Sequence, residues 1–149
     1  SNMAKVGRYR VISAEPHVVK PPKELSGRRL ARVIAYDYSA VRCVDACIDL
    51  ESSRVASLRF TESQPMLARE EEATAIAVAL ADEDLKANLS LGDQPQVAMH
   101  YWGKNQMDIA FSNRCAAVIF GQNGARPSVV AVVDLIGNQV SEIVPAEQW

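Results

Sequence analysis

The stretch Arg29-Leu-Ala-Arg-Val-Ile-Ala-Tyr-Asp37 opens the segment Arg29 to Ala81, around which the rest of the chain is organised. Its β-branched and aromatic residues favour a pleated, half-buried surface, and Asp37-Tyr-Ser39 supplies turn chemistry. From Val41 to Leu50 the pattern alternates: Val44, Ala46, Ile48 and Leu50 share one face, and Cys43, Asp45, Cys47 and Asp49 the other. Glu51-Ser52-Ser53 is a polar break of hairpin length, and Arg54 to Phe60 alternates again. Two hairpins in series predict an antiparallel meander.

A helix is expected next. Pro65 suits a first turn, Ser63 is the expected N-cap, and Glu70, Glu71 and Glu72 complement the macrodipole. Met66, Ala73, Ile76, Ala77 and Leu80 recur at helical spacing as one apolar stripe. Asp82 reads as the N-cap of a shorter helix to about Asn88, with Leu85 and Leu89 inward and Gly92 ending it.

Working outward, Tyr9-Arg-Val-Ile12 is a first strand, and Glu15 to Lys23 is a proline-rich linker or edge segment. Downstream, Gln96 to Trp102, Met107 to Phe111, Arg114 to Phe120, Ser128 to Leu135 and Val140 to Val144 read as strands separated by polar turns. Strands, then helices, then strands argue an α+β fold, antiparallel sheets packed on one long and one short helix. The expected division is 1–28 as tag remnant (Ser1-Asn2), first strand and lead-in, and 146–149 as a tail. Between them, 29–145 is one α+β domain, with strands over 29–61, helices over 65–90 and strands over 96–144.

At 149 residues, 48% hydrophobic and 23% charged, the chain can bury a core. Sixteen basic against eighteen acidic residues give no overall basic surplus for nucleic acid, and no apolar run suits a membrane span. With Met3 as the natural start no secretory signal is expected, and the location expected is cytoplasmic. Three cysteines are no disulfide framework.

Several constellations were weighed as chemistry. Cys43 and Cys47, four apart on a strand, are separated by about 13 Å, too far for a disulfide or a shared zinc. His100, between Met99 and Tyr101, reads as a structural histidine, and nothing local supports a nucleophilic pair with Cys115. Glu70 to Glu72 spread around the helix as a solvated face. Gly121-Gln-Asn-Gly124 lacks the helix that a phosphate cradle needs behind it. No catalytic, cofactor-binding or metal residue is assigned.

An ordered series remains. Glu15-Pro16 with Lys20-Pro-Pro-Lys23 leads it, followed by Arg28-Arg29, Tyr36-Asp37, Val44 to Leu50 and Arg54 to Ser57. Gln64-Pro65 with Glu70 to Glu72, Val97 to Trp102, Ala116 to Phe120 and Ala131 to Leu135 complete it. The series resembles the second and third N-terminal domains of copper amine oxidases, cystatin-like α+β modules without catalytic residues. The resemblance implies a fold and a non-catalytic module, not an enzyme. The oxidase itself needs three copper histidines and a tyrosine, in an Asn-Tyr-Asp/Glu context, that becomes topaquinone. This chain has His17 and His100 only, and Tyr9, Tyr36, Tyr38 and Tyr101 follow Arg8, Ala35, Asp37 and His100. In the family the second domain begins with a helix over its own sheet, and too few residues precede Tyr9 for one. Uncovered, Val44, Ile48, Leu58 and Phe60 would form a large apolar patch. The Met66 to Leu80 helix or a second protomer is therefore expected to cover it, giving a merged core or a homodimer. The function expected is protein association. The alternatives are a small-molecule pocket between helix and sheet near Tyr101, Trp102 and Trp149, or an accessory subunit of a split amine oxidase.

Overall fold

The computed structural model describes residues 8–18 and 27–149. The readings of Ser1 to Met3 and of Lys20 to Lys23 lie outside the described residues. The chain is α+β, with two antiparallel four-stranded sheets ordered β1-β2-β3-β4 and β5-β6-β7-β8. The first holds β1 (Tyr9–His17), β2 (Leu30–Asp37), β3 (Arg42–Asp49) and β4 (Arg54–Thr61). Then follow α1 (Arg69–Ala81), α2 (Glu83–Asn88), β5 (Gln94–Tyr101), α3 (Ile109–Ser112), β6 (Cys115–Gly121), β7 (Pro127–Asp134), β8 (Gln139–Pro145) and a closing 3₁₀ turn, Ala146–Gln148. Contacts divide the chain into compact units Ser1–Pro65 and Met66–Trp149. That boundary falls inside the stretch 29–145 that the sequence reading treats as one domain.

In the first unit the strands form where alternation places them, and β1 runs on through Glu15-Pro-His17. Proline fits there because β1 is a sheet edge, where a missing N–H breaks no inner ladder. The β2–β3 and β3–β4 turns share one design. Asp37 Oδ1 accepts from the amides of Ser39 and Ala40, and Asp49 Oδ1 from those of Glu51 and Ser52. Four residues after each aspartate the backbone turns left-handed, at Val41 (φ 53°) and Ser53 (φ 55°). The β7–β8 turn repeats it, with Asp134 Oδ1 accepting from Ile136 N and Asn138 at φ 52°.

In the second unit α1 lies on β5–β8, so its buried stripe is committed to the second sheet. Three details of the helix differ from expectation. It begins at Arg69 with Ala68 as N-cap, and Ser63 does not cap it. Its buried residues are Glu71, Ala75 and Ala79, whereas Met66, Ala73, Ala77 and Leu80 are exposed. Apolar residues surround this helix, so periodicity could not choose a face. Small alanines let the axis approach the sheet, and a buried ion pair, described below, fixes which alanines face it. Asp82 does cap α2, its Oδ1 accepting from Leu85 N, and Leu85 is buried. Met107 to Phe111, expected as a strand, gives the short helix α3 instead. Gly103 N donates to Ala110 O, and Gly103 permits the close return, since a Cβ there would stand 2.9 Å from Phe111 N and Asp108 Cβ.

The two sheets are copies of one another. Moving the first by the step that takes Arg29 to Arg114 superposes β2–β4 on β6–β8 without a gap. Ten pairs are then identical: Arg29/Arg114, Ala31/Ala116, Val33/Val118, Ile34/Ile119, Ala40/Ala125, Val44/Val129, Ala46/Ala131, Asp49/Asp134, Leu50/Leu135 and Val55/Val140. Register agrees with sequence. Ala31 pairs with Ile48 as Ala116 pairs with Val133, and Ala35 with Val44 as Phe120 with Val129. Register irregularities recur at matching places, Cys47/Ile48 and Val132/Val133, and also Val11/Ser13 and Pro95/Val97. Leu50 N donates to Arg29 O at 2.8 Å, and Leu135 N to Arg114 O at 2.9 Å. A shared bulge position shared by both sheets means a shared local twist.

Candidate functional site

The most completely built polar centre joins α1 to β6. Arg114 leads the row Ala116, Val118, Phe120 on one face of the second sheet, and both Arg114 and Glu71 are buried. Arg114 Nε donates to Glu71 Oε2 at 2.6 Å and Nη2 to Oε1 at 2.9 Å, a bidentate pair. Nη2 also donates to Met66 O, and Glu71 Oε1 accepts from Ala68 N. The carboxylate thus caps the helix and anchors it to the sheet at once. This corrects the reading of Glu70 to Glu72 as a solvated face, since Glu71 is turned wholly inward. His100, half-buried in β5 beside this centre, has its pKa lowered, first by burial and then by the Arg114 charge, with Glu71 opposing.

The copy in the first unit is arranged differently. Arg29 holds the position of Arg114, but its side chain is exposed and has no ion pair among the described residues. Leu50 is 48% exposed where Leu135 is 4% exposed, and Val55 is 52% exposed. The middle of that face, Ala35, Val44 and Ala46, is buried; Leu50 and Val55 stand exposed at the end beside Arg29, and Val11 and Phe60 on the flanking strands. Val44, Ala46 and Ile48 correspond to Val129, Ala131 and Val133, the row that shares its face with Arg114. On the opposite face Asp45 receives Arg32 and Arg59, and the Arg32 hydrogen bond holds its carboxyl below the usual carboxylate range.

A third feature is an open depression of about 520 Å³ between α3 and β8, lined by Tyr101, Met107, Asp108, Ile109, Val132 and Glu142 among others. Tyr101 stacks on Trp149 with centroids 4.8 Å apart, and Ala110, Cys115 and Val132 form the core behind it. Burial, then the charges of Glu142 and Asp108, raise the Tyr101 pKa. Trp102 is exposed and is not among the lining residues.

The other residues weighed from sequence are not brought together. Cys43 is buried and Cys47 half-buried, both on one face of β3. His100 pairs with Ala116 and Tyr101 with Cys115, which puts His100 and Cys115 on opposite faces of the sheet. Burial, with Asp134 assisting, pushes the Cys115 thiol up to about 12, the reverse of an activated nucleophile. Among the described residues no three of His, Cys, Asp and Glu are placed to hold a metal ion. His17 ends β1 and His100 lies in β5. No described helix is long and apolar enough to cross a membrane. Sequence reasoning missed Arg29, Glu71 and Arg114; the self-match of the chain marks the two arginines, and no such signal marks Glu71. Comparison with known protein families and with curated proteins finds no match to this chain.

Proposed function

We propose that this chain is a non-catalytic module that works by protein association through the open end of its first sheet. In this reading its units are cystatin-like and similar to copper amine oxidase N-terminal domains, and it acts in the cytoplasm. The observation that carries the reading is the contrast between duplicated positions: Leu135 is buried in one copy, and Leu50 stands 48% exposed in the other. Exposed apolar side chains at Leu50 and Val55 on this end cost solubility unless a partner uses them. Supporting it, the buried charged groups serve structure: Glu71 and Arg114 neutralise each other, and Asp37, Asp49 and Asp134 hold turns.

Leu50→Glu and Val55→Glu test this. On an open face each is expected to change stability by no more than about 0.5 kcal/mol, while a dimer detected by light scattering dissociates. A loss of about 2–3 kcal/mol, as for a buried aliphatic residue, would show the face to be internal and end the reading. A strict monomer removes only the second copy as partner.

The α3 depression favours a second reading, a small-molecule site. Its mixed polar and apolar lining, with two carboxylates, Asp108 and Glu142, suits a small organic cation. A thermal shift with aliphatic amines, lost in Glu142→Gln, tests it.

A further inference from the structure

We infer that the Arg29 end of the first sheet receives the leading turns of a partner helix, one bearing a glutamate in its first turn and alanine-sized residues at the following inward positions. The inference rests on the association reading and names the partner's chemistry.

The second unit supplies the template. There the position equivalent to Arg29 is filled by Arg114, and its guanidinium is met by Glu71, the third residue of α1. Behind that contact Ala75 and Ala79, each one turn further on, lie buried on the sheet. The first unit repeats the receiving side. Arg29, Ala31 and Ile48 match Arg114, Ala116 and Val133, with the same strand pairing and the same leucine amide on the arginine carbonyl. What differs is the state of the surface. Arg29 and Leu50 are exposed and Ala31 and Ile48 only half-buried, whereas all four counterparts are buried.

Charge points the same way. Residues 1–65 carry 11 of the 16 basic residues and 7 of the 18 acidic ones, a surplus of four positive charges. Arg28, beside Arg29, is already engaged by Asp49 at 2.7 Å, whereas Arg29 has no ion pair among the described residues, so its guanidinium is open to an incoming carboxylate. An arginine fork takes a carboxylate bidentately, which fixes the helix rotationally as well as holding it.

The test uses the full chain and, as probe, a synthetic peptide of residues 66–82. A lactam between Ala73→Glu and Ala77→Lys, both on the exposed side of α1, holds it helical, because a free helix of this length is marginal in water. Saturable binding is expected, with amide shifts at Ala31, Ile48 and Leu50. Arg29→Glu in the chain, or Glu71→Gln in the peptide, is expected to weaken it at least about tenfold, the loss of one charged hydrogen-bonded pair. Circular dichroism confirms that the Arg29 variant is folded. No binding, binding indifferent to Arg29→Glu, or shifts at Ala116, Val133 and Leu135 instead, overturns the inference. A dimer that dissociates on Leu50→Glu while no peptide binds would leave the association reading standing and remove only the helix.

Discussion

Glu71 and Arg114, separated by 43 positions in sequence, meet through two hydrogen bonds of 2.6 and 2.9 Å where neither side chain reaches water. Removing one partner strands a buried charge, and Arg114→Met alone is expected to cost about 3–5 kcal/mol in a urea titration. The double variant Glu71→Leu/Arg114→Met is expected near or above wild-type stability, apart from about 1 kcal/mol for the lost cap on Ala68. Equal losses in the single and double variants would contradict this account.

Val41 is a β-branched residue held at φ 53°, a conformation that crowds its Cβ against the backbone. The equivalent place in the β7–β8 turn is Asn138, which tolerates it. Val41→Asn is expected to raise unfolding free energy by about 1 kcal/mol, read from the denaturation midpoint at unchanged slope. A lower midpoint would mean that the Val41 side chain contributes packing that outweighs the strain.

The Asp49 carboxyl sits below the usual carboxylate range, chiefly because Arg28 donates to it, with the Glu51 and Ser52 amides adding to the effect. A depressed folded-state value stabilises the fold above the unfolded pKa, about 3.9. The benefit disappears as pH falls through the folded value. Arg28→Ala is expected to move the Asp49 titration upward and flatten the acid limb of stability. Carboxyl-carbon shifts followed against pH read this directly, and an unmoved titration refutes it.

Thiol labelling should discriminate three environments. Cys115, buried and pushed up to about 12, is expected to be silent to an aromatic disulfide at pH 8, and buried Cys43 likewise. Cys47, half-buried, is expected to react first, with the other two following only on unfolding. Rapid labelling of Cys115 in the folded chain would refute the assignment.

Much of the strand layout was legible from alternation, as over Cys43 to Leu50, but the buried face was not, since Cys43 and Asp49 are buried and Leu50 is exposed. The helix face was not. α1 has apolar residues all round, and its orientation is chosen by an arginine far along the chain that leaves no local mark. α3 was misread because five residues carry too little periodicity to separate strand from helix, and Gly103 decides the matter by close packing. The open surface beside Arg29 was legible in another way. Arg-x-Ala-x-Val-Ile occurs at Arg29 and again at Arg114, and Val-x-Ala-x-x-Asp-Leu at Val44 and again at Val129. Setting the chain against itself reveals both, together with the one receiving surface for which no described helix is supplied.

Two sheets with matching strand register in one polypeptide carry a hazard during synthesis and refolding. A nascent β3–β4 hairpin offers β6 nearly the same ladder as its proper neighbour β7–β8, so strand exchange between copies competes with correct pairing. The corner after β2 is led by Asp37 where Gln122 stands after β6, and the β6–β7 ladder carries a register shift at Phe120/Gly121 that β2–β3 lacks.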